Sequence, residues 1–537
     1  MSPLSIADCH STTVVPGLSR LFRDVCASAA AVRHFYPSTP GSTDWQLRKG
    51  VAPCLPAMVE LLAAQNPEPA AAAPIEALRK GAGVVVTGQQ VGLFGGPLFT
   101  PFKAATAVAR ARQATAAGRP HVAIFWLASE DHDFAEVNHV SFPARREMRR
   151  LVYPGAPETA IPVGGFALDD RIQPLVEQAW ELVGYSDAME ALAAAYVPGR
   201  TFAQAFRTFY ARVFAAQGLL ILDASGREAH RMGAPVLRAA LERADELHAA
   251  LRERNKSLEA AGYHAQVAVG ADSSLLFLID DKTGARVALR RRQPTAAEPG
   301  GLWQAGRRSL STAELVGILE SEPERISPSA LLRPVFQDLL LGTSLTIGGP
   351  AEIAYFAQSA VLYERILGRV TAAEPRFSAT LIEPAIGELL RTHELTLDQI
   401  LTLTQDALAQ RLAARAMPIE GKRKLAATGS ALDAELEALL GWMRTLDAGL
   451  GRAGVTAASK MRYQMNRLRR LTANFELQRE TSLARHAEAI CLSLNPGGLQ
   501  ERMHGAAFYL GRYGLDLVER ITQAAMSDCT GHTALWL

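Results

Sequence analysis

Ionisable and amide side chains gather at two points where short apolar runs stop. Val84-Val85-Val86 leads into Thr87-Gly88-Gln89-Gln90-Val91-Gly92-Leu93-Phe94-Gly95-Gly96-Pro97, with Thr100 and Lys103 following. Val122 to Leu127 leads into Ser129-Glu130-Asp131-His132-Asp133, with Glu136, Asn138 and His139 behind. A histidine between two aspartates has the make-up of a general base or acid held by a carboxylate, or of a metal ligand. Asp131 or Asp133 also suits a helix N-cap, and one of the two is expected to serve only there. In the first turn Gly88, Gly92, Gly95 and Gly96 permit close approach of backbone to a ligand, and Pro97 suits a helix start whose amides face an anion. The spacing is not that of a phosphate loop, since no Lys-Ser/Thr follows Gly96. Gly348-Gly349-Pro350 repeats the pattern, with Glu352 and Tyr355 after it.

These turns need rigid elements behind them. Both apolar runs are short and rich in β-branched and aromatic residues, as parallel strands covered on two faces are, and their polar ends lie where open α/β sheets bind ligands. Residues 99–115 read as the crossover helix between them, closed by Gly118 and Pro120, and residues 218–223 read as a third strand ending at Asp223. Residues 266–269, 275–279 and 285–289 read as strands of a small antiparallel lobe, the last two joined by a hairpin turn at 280–284. Residues 331–340 read as a helix feeding a fourth core strand near 344–347. Beyond 384 the pattern turns long-helical: Leu432, Leu436, Leu439, Met443, Leu446 and Leu450 alternate steps of four and three, an a/d seam. It is resumed by Met461, Met465, Leu468 and Phe475 after a break expected at 449–454, which predicts an antiparallel coiled-coil arm suited to dimerisation.

The 537 residues, 48% of them apolar, can bury two or three domains. Lysine plus arginine number 56 against 54 acids, so the +2 balance predicts no nucleic-acid or membrane partner and favours a small molecule. Cys9, Cys26, Cys54, Cys491 and Cys529 are scattered and remote from the polar turns. They predict neither a disulfide framework nor a zinc site, and suit a reducing compartment. No apolar run approaches the roughly 20 residues of a membrane span, and the expected location is the cytoplasm.

The strings Thr87-Gly88-Gln89-Gln90-x-Gly92-Leu93-Phe94-Gly95-Gly96-Pro97-Leu98 and Glu130-Asp131-His132-Asp133-Phe134-x-Glu136-x-Asn138-His139 resemble the signatures of the BshC family of bacillithiol biosynthesis. Leu332-Arg333-Pro334-Val335-x-Gln337-Asp338, Gly348-Gly349-Pro350-Ala351-Glu352-Ile353-Ala354-Tyr355 and Leu499-Gln500-Glu501-Arg502 agree in order and spacing. The resemblance implies an α/β, Rossmann-like core, similar to class I nucleotidyl-transferases, over residues 1–383 with insertions at about 140–215 and 262–330. A coiled-coil arm over 384–489 and a C-terminal helical segment over 490–537, packed back on the core, complete the expected layout. It implies a cysteine ligase joining cysteine to glucosaminyl-malate by an amide, and a homodimer formed through the arm. Amide formation from a free carboxylate calls for activation, so ATP or another adenine nucleotide, with Mg as its companion, is expected from the chemistry. His132, Asp131, Asp133 and Glu130 are the catalytic candidates, without a dedicated metal site. Gln89, Gln90, Gly92, Gly95, Gly96, Thr100, Lys103, Asn138, His139, Gly348, Gly349, Glu352 and Tyr355 are the binding candidates. Two other classes stay open: a non-catalytic scaffold on a degenerate ligase fold, and a metal-dependent hydrolase built on Asp131, His132 and Asp133.

Overall fold

The computed structural model describes residues 6–292, 302–527 and 529–537. Its centre is a five-stranded sheet of β1 (Gly83–Gln89), β2 (His121–Leu127), β3 (Leu220–Asp223), β4 (Thr343–Gly348) and β5 (Ala372–Pro375). The strands lie in the order β5-β4-β1-β2-β3, every neighbouring pair parallel. This is the doubly wound order of dinucleotide-binding folds, and the chain direction across the sheet reverses between β1 and β4. The unbroken apolar runs follow from burial on both faces. Val85 and Phe125 enter one core, whereas Val84, Val86, Ile124 and Trp126 enter the other. The Phe99–Ala116 helix covers the first face, where Ala104, Ala105, Ala107 and Ala109 let it lie close to β1 and β2.

Two insertions interrupt the core. Between β2 and β3 stand the His139–Pro143 and Met148–Val152 hairpin and the helices Gln173–Val183, Asp187–Ala195 and Phe202–Val213. Between β3 and β4 two helices precede a five-stranded antiparallel sheet, with Arg286–Arg291 paired to Leu276–Ile279 and to Leu302–Ala305, and Ile326–Pro328 at one edge. Residues 266–269, expected as a strand, are irregular; there Val267 N and O are bonded by the Gln358 side chain in place of a neighbouring strand.

Past β5 the chain adds Ala379–Ile382 to a small sheet with His532–Trp536 and Ile6–His10, so the two ends of the chain meet. Cys9 and Cys529 form a disulfide there, with Cα atoms 5.7 Å apart. This corrects the expectation of unpaired cysteines: a separation of 520 residues hides the pair from any local spacing rule. Cys26, Cys54 and Cys491 are buried thiols.

The arm is a hairpin of the Ile419–Leu446 and Ala448–Arg479 helices. Asp447 caps the second helix by accepting from Gly449 N at 2.7 Å and Leu450 N at 2.8 Å, so the break falls just before the expected glycines. Leu436, Leu440, Ala458 and Met465 are buried along the hairpin, while Leu439, Leu446 and Leu450 of the expected seam face outward. The glycines account for the shift: Gly454 lies against Leu440 and Met443, where a β-carbon would come within 2.9 Å of either. Among the described residues no helix is long and apolar enough to cross a membrane.

Candidate functional site

The carboxyl ends of β1 and β4 flank the point where strand order reverses, and a buried ion pair joins them. Lys103, on the helix that follows β1, is 1% exposed. Its Nζ donates to the Gly88 carbonyl and to Gln89 Oε1 at 3.0 Å, and pairs with Glu352 on the helix that follows β4. Glu352 also accepts from Gly349 N at 2.7 Å. Burial holds the Lys103 ammonium below its ordinary range, Glu352 opposes that pull, and the positive charges of Arg376 and Arg333 add to it. Glu352 is therefore the group that opposes the loss of this amine's charge inside the protein.

The loop after β2 supplies the second half. Asp131 Oδ2 accepts from Gln90 Nε2 at 2.7 Å, and Oδ1 accepts from the His132 and Asp133 amides at 2.7 and 3.3 Å. Burial alone would raise the Asp131 carboxyl, but the Gln90 bond, these amides and the nearby Arg286 charge hold it below its ordinary value. Gln90 Nε2 also donates to Glu136 at 2.6 Å, so one amide bridges two carboxylates. His132 is not held by a carboxylate: its Nδ1 lies 3.9 Å from Asp131 Oδ1 but 3.3 Å from Arg286 Nη1. A guanidinium can only donate, so Nδ1 accepts, and a neutral ring then carries its proton on Nε2. Arg286 reaches His132 from the antiparallel sheet, fixed by Ser327 Oγ at 2.9 Å, Pro328 O at 3.0 Å and the face of Phe277, whose centroid is 3.7 Å away. From the helix before β4, Arg333 donates to Tyr355 OH at 3.2 Å. Burial pushes the Tyr355 hydroxyl up to about 12, against the pull of Arg333, so it stays protonated.

Other predicted residues are placed differently. Glu130 turns under the sheet to His230 Nε2 at 3.0 Å; His230 is fully buried, and its Nδ1 meets Ile326 O at 3.0 Å. Burial alone would lower the His230 imidazole, but Glu130 and the Ile326 carbonyl raise it, making this a buried brace between the loop and the Arg227–Glu242 helix. Asp133 is the N-cap of Phe134–Val137, accepting from Glu136 N. Asn138 donates to Tyr153 O at 3.3 Å, and His139 begins the inserted hairpin with Nδ1 at Ala135 O, so neither is bonded to the Asp131 and His132 group.

The glycine turn is closed by protein. Gly92 N bonds Gln90 O, Gly95 N bonds Tyr196 OH and Gly96 N bonds Leu93 O, while Tyr210 donates to Gly95 O. Leu98 N is taken by His504 O, and Thr100 is fully buried beside Gly96. Here the glycines answer a packing demand: Gly95, at φ +83°, lies where a β-carbon would meet Phe209 at 2.9 Å. Among the described residues no group of three or more His, Cys, Asp or Glu side chains could hold a metal ion, which leaves the hydrolase alternative without its ligand set.

The residue pattern missed Arg286, His230, Tyr196 and Tyr210, all brought in from the insertions or from helices distant in sequence. Arg333 carried a signal in Leu332-Arg333-Pro334, but one without a role attached.

Comparison with known proteins covers almost the whole chain. The model of the bacillithiol biosynthesis BshC N-terminal Rossmann-like domain matches residues 8–376, and that of the BshC C-terminal coiled-coil domain matches residues 379–537. A protein of Koribacter versatilis is 42% identical over 543 residues, covering 99% of both chains. Proteins of Solibacter usitatus and Salinibacter ruber are 33% and 31% identical, the first covering 98% of this chain and 99% of its own, the second 95% of each. All three carry the name "Putative cysteine ligase BshC".

Proposed function

The chain belongs to the BshC family of bacillithiol biosynthesis, and we propose that it is a ligase joining the carboxyl of cysteine to the amine of glucosaminyl-malate, the step that completes bacillithiol. The observation that carries this reading is that the Lys103–Glu352 pair and the Gln90–Asp131 bond join the carboxyl ends of β1, β2 and β4 where strand order reverses in a doubly wound sheet.

The roles follow from the hydrogen bonds. Asp131, held ionised by Gln90 and two amides, is the carboxylate suited to the α-ammonium of cysteine. His132, accepting from Arg286 at Nδ1, presents Nε2–H as a donor to the carboxyl oxygen that turns anionic as the amine adds. Lys103 and Glu352 fix the Gly88-Gln89 and Gly348-Gly349 turns relative to each other. ATP or another adenine nucleotide, with Mg, supplies the activation that a free carboxylate needs. The closed Gly92–Gly96 turn does not fit its phosphates, because the Gly92, Gly95 and Gly96 amides are bonded within the protein. The outward apolar row of the arm supports a homodimer.

Small-thiol mass spectrometry on cells lacking the gene tests the reading. Loss of bacillithiol with accumulation of glucosaminyl-malate is expected, and unchanged bacillithiol would contradict it.

A further inference from the structure

Two guanidinium groups reach the residues at the strand-order reversal from different elements, Arg286 at His132 and Arg333 at Tyr355, and among the described residues neither forms an ion pair with a carboxylate. Arg286 is spent on neutral acceptors and an aromatic face: Ser327 Oγ, Pro328 O, His132 Nδ1 and the Phe277 ring. Among the described residues the Arg333 side chain donates to Tyr355 OH alone. Neighbouring cations are answered, Lys103 by Glu352 and Arg376 by Glu501 at 2.6 Å. The nearby acids are engaged elsewhere. Asp131 acts on both arginines through space, but its oxygens are taken by Gln90 and two amides. Glu130 faces His230.

The same short segment carries both arginines: Arg286 donates to Ser327 Oγ and Pro328 O, while Arg333 N bonds Ser329 O, and their charges oppose each other. Burial lowers Arg286, Glu130 and Asp131 offset part of that, and the charge of Arg333 lowers it further. Glu352 and Asp131 act on Arg333 from a distance, but among the described residues no carboxylate is in direct contact with either fork, and the planar guanidinium matches the two oxygens of a carboxylate or phosphate. We propose that Arg286 and Arg333 form a two-armed oxyanion subsite that grips a carboxylate or phosphate group of a substrate. Because Arg286 also bonds His132, an anion seated there fixes the ring that points Nε2–H into the crevice.

The subsite rests on the ligase reading only for the source of the anion: the malate carboxylates or the phosphate chain of the nucleotide. Calorimetric titration of the full-length protein with L-malate and, separately, with inorganic tripolyphosphate tests it. One of the two anions is expected to bind the wild type and to weaken about tenfold or more in both Arg286→Gln and Arg333→Gln, the scale of a charged hydrogen bond. The anion that responds identifies the source. Arg286→Lys and Arg333→Lys keep the charge and lose the fork; they carry the test where a glutamine variant melts early, with a loss of about threefold or more expected. Absence of binding to the wild type at millimolar concentration, or affinities in folded variants equal to wild type, would overturn the subsite. Arginine-dependent binding by a protein whose deletion leaves bacillithiol unchanged would overturn the ligase reading and leave the subsite standing.

Discussion

His132 shows how one hydrogen bond decides what a side chain can do. With two aspartates beside it in sequence it suggests a base held by a carboxylate, yet Asp131 spends its oxygens on Gln90 and the backbone, and Arg286 takes Nδ1. The ring is then a donor at Nε2. His132→Ala removes a donor to a developing oxyanion, so a fall of about 10²- to 10³-fold in bacillithiol output is expected. The melting temperature should stay within a degree or two of wild type, because the ring is about one-third exposed and contributes little burial. Output that tracks only the amount of folded protein would reduce His132 to a packing residue. What was legible at this scale was the meeting of the two strings: the residues after Val86 and after Leu127 are joined by the Gln90–Asp131 hydrogen bond, and Lys103 bonds Gln89 of the first string. The pairings were not legible, because Arg286 and Glu352 arrive from 154 and 249 positions away from His132 and Lys103, as the numbering itself shows.

Among the elements, strands buried on two faces were readable, since continuous apolar runs have few other uses; β1 to β4 stand close to where the runs placed them. The glycine turn was readable as a turn but not as a closed one, because its covers come from the insertion, Tyr196 at the end of one inserted helix and Tyr210 on the next. The arm was readable as a helical pair, yet heptad spacing alone could not foresee that Gly454 draws the buried row to Leu436 and Leu440. That leaves Leu439, Trp442, Leu446, Leu450, Leu468, Leu471 and Phe475 between 41% and 60% exposed, the apolar surface that the proposed homodimer would cover. Replacing Leu446 and Phe475 with lysine is expected to shift sedimenting species from dimer to monomer with helix content retained. A wild-type protein that sediments as a monomer, or a dimer unmoved by the double change, would place the row outside any self-interface. Leu436 is unsuited to this test, since charge there would break the hairpin itself.

For the whole molecule the C-terminal segment is the fastening. Leu98 N bonds His504 O, Ala506 N bonds Gly96 O, Arg112 pairs with Glu519, and the last strand closes on the first beside the Cys9–Cys529 disulfide. Two histidines of this segment make the fastening sensitive to acid. Burial pushes His504 down to about 4, against the Leu492 carbonyl, and pushes His532 down to about 4, against Glu501. Between that value and about 6.5 the unfolded chain binds more protons than the folded one, so stability falls as pH drops through this window and the loss is complete below it. Each histidine contributes a slope on the order of 1.4 kcal/mol per pH unit. Denaturant melts at pH 7 and pH 5 are expected to show a clear loss at pH 5, reduced in His504→Gln. A wild-type midpoint that does not move between these pH values would show that both rings charge freely in the folded state.

The central claim is that this crevice forms the amide linking cysteine to glucosaminyl-malate, and it is tested most directly by quantifying both ends of that reaction in one set of cells. In extracts of a strain lacking the gene, mass spectrometry should find bacillithiol absent and glucosaminyl-malate raised, with both restored by the wild-type gene. Bacillithiol at the parental level in the deletion strain, with no rise in glucosaminyl-malate, would contradict the account.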